Sequence, residues 1–132
     1  MKIEEVDQFL TELAERYDVP KPNYCIYKVT PIKRLNPFKT KTGQLRIISS
    51  AITHDYGAFF HAHGKLCYIT LLIHKNGIVS RENILHEFKH YIDYVKNGYE
   101  ILLDNEKRER RARSFARKGM KHYRKTREWL EA

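Results

Sequence analysis

The chain has 132 residues, 42% of them apolar, including nine Tyr, six Phe and one Trp. That length suits a single domain with one core, and the aromatic content excludes a disordered chain, which lacks the large side chains a core is made from. The net charge of +9 is uneven: residues 105–132 carry eleven Lys or Arg against four Glu, +7, which leaves +2 for the residues before them.

The opening stretch, MKIEEVDQFLTELAERY, is acidic and amphipathic. It lacks the basic-then-apolar plan of a signal peptide, and no apolar run in the chain approaches the ~18 residues that span a bilayer. A cytoplasmic protein without membrane contact is expected. Val6, Leu10, Leu13 and Tyr17 recur at steps of three and four, so a helix is predicted over residues 2–17. Pro20 and Pro22 end it, because proline disfavours helix at and before its own position.

The period then changes from helical to alternating. YCIYKVT (24–30) is β-branched and aromatic and reads as a strand, followed by a basic loop with two prolines over 31–43. LRIISSAIT (45–53) reads as a second strand. YGAFFHA (56–62) and LCYITLLIH (66–74) flank HGK, which predicts a hairpin with Gly64 in its turn. Cys25 and Cys67 lie in these runs without CxxC spacing and are expected as buried free thiols.

Two helices close the chain. Ser80 caps the first, predicted over 81–97, with Glu82 in its first turn and Gly98 suited to its left-handed end. Ile84, Leu85, Phe88, Ile92 and Val95 are its apolar positions. Asp104 or Asn105 caps the last helix, predicted over 105–131, whose apolar face carries Ala112, Phe115, Ala116, Met120, Tyr123 and Leu130. Helix, several strands, helix, helix is an α+β plan: an N-terminal helix, a small and mostly antiparallel sheet, and two helices packed on it.

The first of those two helices contains HEFKH, residues 86–90. A helix turns about 100° per residue, so His86 and His90 lie nearly above one another and can offer two imidazoles to one metal ion. Glu87 lies one residue round, placed to reach a water on that ion without being a ligand. Zinc suits such a site, and it needs a third protein ligand. Asp93, at i+7 from His86, shares the face but lies a turn beyond His90, and fits better as a hydrogen-bond partner of a ligand histidine. His122 is deep in the basic helix. Glu106 and Glu109 lie on the last helix. Glu109 is the better placed, because Ala112 and Ala116 fall roughly −60° and −20° from it round that helix and mark the inward face. A carboxylate there needs a partner, either a metal or an arginine.

SRENILHEFKHYIDY followed by ERRARSFARKGM resembles the ImmA/IrrE-type metallopeptidases, gluzincins whose first helix reads HExxHY and whose next reads ExxAxxFA. The resemblance covers about residues 66–120. It implies a minimal zincin-like domain with His86, His90 and Glu109 as zinc ligands and Glu87 as general base. It also implies cleavage of a regulatory, DNA-associated protein. The chain departs from the family at Arg111 and Arg113, which flank the alanine where acidic or amide residues are usual, and at Lys89, where glycine is common.

Other histidines fit ordinary structural roles. His61 and His63 share a strand face at a hairpin tip, His54 and His74 sit at strand ends, and Trp129 anchors the C-terminal end. His122 and Tyr123 are candidates for stabilising an oxyanion if the last helix crosses the metal cleft. Two function classes follow. One is a zinc endopeptidase acting on an extended peptide. The other is a nucleic-acid-binding module using Arg110, Arg113, Arg117, Lys121 and Arg124, with zinc absent or structural.

Overall fold

The structure, a computed structural model, describes residues 1–28, 58–73 and 78–126. The predicted strand over 45–53, the basic loop over 31–43, His54, His74, Trp129 and Leu130 lie outside the described residues.

Helix α1 spans Ile3–Arg16. Glu4 and Glu5 occupy its first turn and Arg16 its last, both favourable to the helix dipole. Its stripe buries Val6, Phe9, Leu10, Leu13 and Ala14, while Tyr17 is half-buried at the end. The periodic residues named above are on that stripe. Phe9 and Ala14 widen it, as expected of a helix laid on a sheet rather than in a narrow seam.

Three strands follow: β1, Asn23–Lys28; β2, Ala58–His63; β3, Leu66–Ile73. Their order is β1-β3-β2. β2 and β3 are antiparallel, from Ala58 opposite Leu71 to His63 opposite Leu66. The turn between them is Gly64-Lys65, with Gly64 at φ +60°, as a two-residue II′ hairpin requires. β1 pairs with β3 in parallel, Asn23 opposite Tyr68 through Lys28 opposite Ile73. The sheet is therefore mixed, not mostly antiparallel, among the described residues. The physical reason is the connection. Residues 29–65 separate β1 from β3, ample for the crossover a parallel pair needs, whereas a tight turn forces antiparallel pairing.

Helix α2 spans Arg81–Lys96. The Ser80 hydroxyl accepts from the Asn83 N–H at 3.2 Å, and Gly98 takes φ +70° just beyond the C-terminus. Its start is tied to the start of α1: Val79 N–H donates to the Met1 carbonyl at 2.9 Å, and Met1 N donates back to the Val79 carbonyl at 2.8 Å. Ile84, Leu85, Phe88 and Ile92 are buried as expected, with Val95 at the margin. Tyr91 and Tyr94 are buried too, because each hydroxyl finds a carbonyl: Tyr91 donates to Pro20 at 2.6 Å and Tyr94 to Gly64 at 2.7 Å.

Helix α3 spans Asn105–Thr126. The Asp104 carboxylate caps it, accepting from the Lys107 N–H at 2.9 Å. The predicted end at 131 lies outside the described residues. Ala112, Ala116 and Gly119 are buried along its inner side, flanked by Phe115 and Met120, which also pack against the core. Close approach of α2 and α3 is what those small side chains make possible. Tyr17 meets Phe115 at a ring separation of 5.5 Å and extends the packing to α1.

The core lies between the helices and one face of the sheet, around Val6, Leu10, Leu13, Ile69, Leu71, Ile84, Leu85 and Phe88. The molecule is α+β, with three helices and a three-stranded mixed sheet among the described residues. Cys67 is buried and Cys25 half-buried, both as free thiols; Cys25 Sγ lies 3.4 Å from the Thr70 hydroxyl. No helix of the described residues is long and apolar enough to cross a membrane.

Candidate metal centre

Two helices and one strand build the site. α2 supplies His86, Glu87 and His90 from one turn. α3 supplies Glu109, brought close by the alanine contact just beyond it. β2 walls the opposite side with Ala58, Phe59 and Phe60.

The Glu109 carboxylate bridges both imidazoles. Its Oε2 is 3.0 Å from His86 Nε2 and its Oε1 is 3.0 Å from His90 Nε2. The three potential ligand atoms lie within 4.8 Å of one another, and the three residues form the one such group among the described residues. Around zinc, bonds of 2.0–2.2 Å put tetrahedral ligand atoms about 3.4 Å apart. The donor set, two imidazole nitrogens and one carboxylate oxygen, therefore fits zinc in both chemistry and spacing. A direct carboxylate–imidazole contact accounts for Glu109 as well, so the donor set fits a cation without requiring one.

Burial tunes the groups. His90 is 8% exposed and stacks on Phe60, ring centres 6.4 Å apart. Burial holds its pKa below the ordinary histidine value, with the charges of His86 and Arg108 adding and Glu109 opposing. A neutral imidazole is the ligand form. Glu87 is pushed up to about 8, first by burial and then by the negative charge of Glu109, against a backbone hydrogen bond from Phe60. A cation at the neighbouring triad acts in the opposite direction. Glu87 Oε1 is 4.0 Å from His86 Nε2, beside the ligand atoms and outside their group.

The predicted site residues do not all meet. His86, Glu87, His90 and Glu109 come together. Glu106 does not: it is exposed and pairs with Arg110 at 3.1 Å. Asp93 does not meet a ligand histidine among the described residues. Arg111 takes it with two hydrogen bonds of 3.2 Å, and Lys89 pairs with it at 3.0 Å. Two cations facing the same carboxylate outcompete a neutral imidazole. His122 and Tyr123 sit 13 and 14 residues beyond Glu109 on the same helix, about 20 Å along its axis. Tyr123 instead lies beneath the Arg81 guanidinium at 4.0 Å. Neither is among the described residues that line the cleft.

No family model, curated protein or solved structure matches this chain.

Six further residues line the cleft that the sequence reading did not place at a site: Ala58, Phe59, Phe60, Asn83, Asn105 and Arg108. For Arg108 a signal was present. It stands four residues before Ala112 and so shares the face that the buried alanine marks. Phe60 carried no such signal, since only the hairpin register turns it towards α2. His61 and His63 belong to no metal group among the described residues; His61 stacks on Tyr68 at 4.7 Å and His63 is exposed.

Proposed function

We propose that the chain is a zinc-dependent endopeptidase of minimal size, with His86, His90 and Glu109 as zinc ligands and Glu87 as general base. The observation that carries this reading is the Glu109 carboxylate held 3.0 Å from both histidine nitrogens, with the buried Glu87 carboxylate beside them. His86, His90 and Glu109 would hold the zinc, which would supply Lewis acidity towards a carbonyl and would lower the pKa of a water towards about 7. Glu87 takes the proton of the attacking water and returns it to the departing amine. Phe60 N–H holds the Glu87 carboxylate in place. β2 lies at one side of the described sheet, so an extended peptide can add alongside it and bring its carbonyl to the cleft. A zincin-like layout, a cytoplasmic setting and a regulatory or DNA-associated protein as substrate belong to the same proposal.

Two measurements test it. Purified without added metal, the protein is expected to hold one zinc per chain, lost from a His86→Ala/His90→Ala double variant. Glu87→Gln is expected to keep the zinc and lose roughly 10²–10⁴-fold in peptide hydrolysis. Hydrolysis at full rate by Glu87→Gln ends the mechanism.

A second reading is nucleic-acid binding through α3. It draws support from Arg110, Arg113, Arg117 and Lys118, which line an exposed groove with Ser114. Lys121 and Arg124 continue the exposed basic surface towards the C-terminal end of α3. Binding by phosphate contacts falls steeply with salt. A flat salt dependence removes this reading and leaves the first untouched.

A further inference from the structure

The cleft carries two arginines that hydrolysis at Glu87 leaves without a role. Arg108 and Arg113 both line it. Arg108 sits at the start of α3, where a cation opposes the helix dipole, so helix stability does not explain it. One nitrogen, Nη2, donates to Asn105 Oδ1 at 3.3 Å. Its Nε is buried and has no hydrogen-bond partner among the described residues. A buried guanidinium N–H is costly to leave unpaired, so the position suits an acceptor that arrives with a ligand.

Arg113 extends this feature outward. It stands one turn after Glu109, is exposed, and belongs both to the cleft and to the groove formed by Arg110, Ser114, Arg117 and Lys118. A cationic track therefore runs from the histidine pair to the outer side of α3. Among the described residues, Glu87 and Glu109 are the acidic ones lining the cleft, both at the metal centre, and the groove lining has none. Among the described residues Arg110 pairs with Glu106, an exposed pair that is worth little.

Building on the endopeptidase reading, we propose that the substrate is an acidic peptide, with Arg108 and Arg113 binding carboxylates next to the scissile bond. Arg117 and Lys118 meet acidic side chains further along the same chain. The planar fork of an arginine matches a carboxylate with two parallel hydrogen bonds. Arg108 favours a peptide over a duplex. It lines the cleft between α2, α3 and β2, where a flexible Asp or Glu side chain reaches and phosphates fixed along a rod do not.

The test measures binding without turnover, on full-length, zinc-loaded Glu87→Gln protein and again on metal-free protein. The probes are a fluorescent ten-residue peptide of alternating Glu and Ala, its Gln-for-Glu counterpart, and single- and double-stranded oligonucleotides. The Glu peptide is expected to bind at least ~10-fold tighter than the Gln peptide, by anisotropy. Arg108→Gln and, independently, the exposed Arg113→Gln are each expected to weaken it about tenfold. Arg108→Lys, which keeps the charge and loses the fork, restores only part. Lys65→Gln, at a cation that lines neither the cleft nor the groove, changes it less than about twofold. Equal affinity for the Glu and Gln peptides overturns the proposal. So does an equal loss at Lys65, or an oligonucleotide that displaces the peptide with an affinity unchanged by Arg108→Gln. Absence of zinc or of hydrolysis counts against the endopeptidase reading alone, because the Glu-to-Gln affinity ratio is measured without either.

Discussion

Glu106 and Glu109 differ by three positions on one helix, and their surroundings could hardly differ more. Glu106 lies in solvent against Arg110, while Glu109 faces two imidazoles across a helix contact. Glu109→Gln preserves shape and removes the charge, and is expected to weaken zinc by more than the ~10–100-fold that loss of a ligand's hydrogen-bond partner costs. Glu106→Gln is expected to leave zinc affinity within about twofold. Competition against a chromophoric chelator measures both, and matching losses would show that overall charge, not ligation, sets the affinity. A preference for Glu109 was legible beforehand because Ala112 and Ala116 mark the inward face it shares, while the choice between it and Glu106 stayed open. The environment of Asp93 was not legible. Its position on the histidine face was correct, but Arg111 and Lys89 reach it through side-chain flexibility and a helix crossing that no local pattern encodes.

At the scale of elements, the site depends on how closely α3 approaches α2. Ala112 and Ala116 are 0% and 2% exposed, so there is no room at either position for a larger side chain. Ala116→Leu is expected to cost about 1–3 kcal/mol through overpacking and to push Glu109 away from the histidines. Thermal unfolding reads the first effect and zinc affinity the second. A variant that loses stability while binding zinc as tightly as the parent would show that the helix spacing at Ala116 is not what positions Glu109. The helices themselves were readable from residue type. Ser80 and Gly98 bracket α2, and the apolar steps of α1 identify its buried stripe. The hairpin was readable from Gly64. The parallel pairing of β1 with β3 was not, because strand direction is decided by a long connection and by which faces the helices cover. For the same reason the wall that Phe60 contributes to the cleft emerges only once β2 is placed against β3.

For the whole molecule, the proposed metal does more than chemistry. Its ligands come from α2 and α3, so binding links two elements otherwise joined by an alanine contact, the Asp93–Arg111 pair and rings such as Phe115. A ligand that binds only the folded chain stabilises it by RT ln(1 + [L]/Kd), about 2.7 kcal/mol at a hundredfold excess over Kd. For a domain of this size that corresponds to a rise of about 10 °C in Tm. Zinc-loaded protein is therefore expected to melt about 10 °C above protein stripped by a chelator. The metal-free form should remain folded, since the Glu109–imidazole contacts hold α3 in its absence, and amide exchange should quicken first in α3 and not in α1 or β3. In Glu109→Gln the interval between loaded and stripped protein should shrink towards zero. A melting temperature indifferent to zinc in the parent chain would mean that no cation bridges the two helices. The three side chains would then be a half-buried carboxylate hydrogen-bonded to two histidines, and the basic surface of α3 would be left as the molecule's main chemical asset.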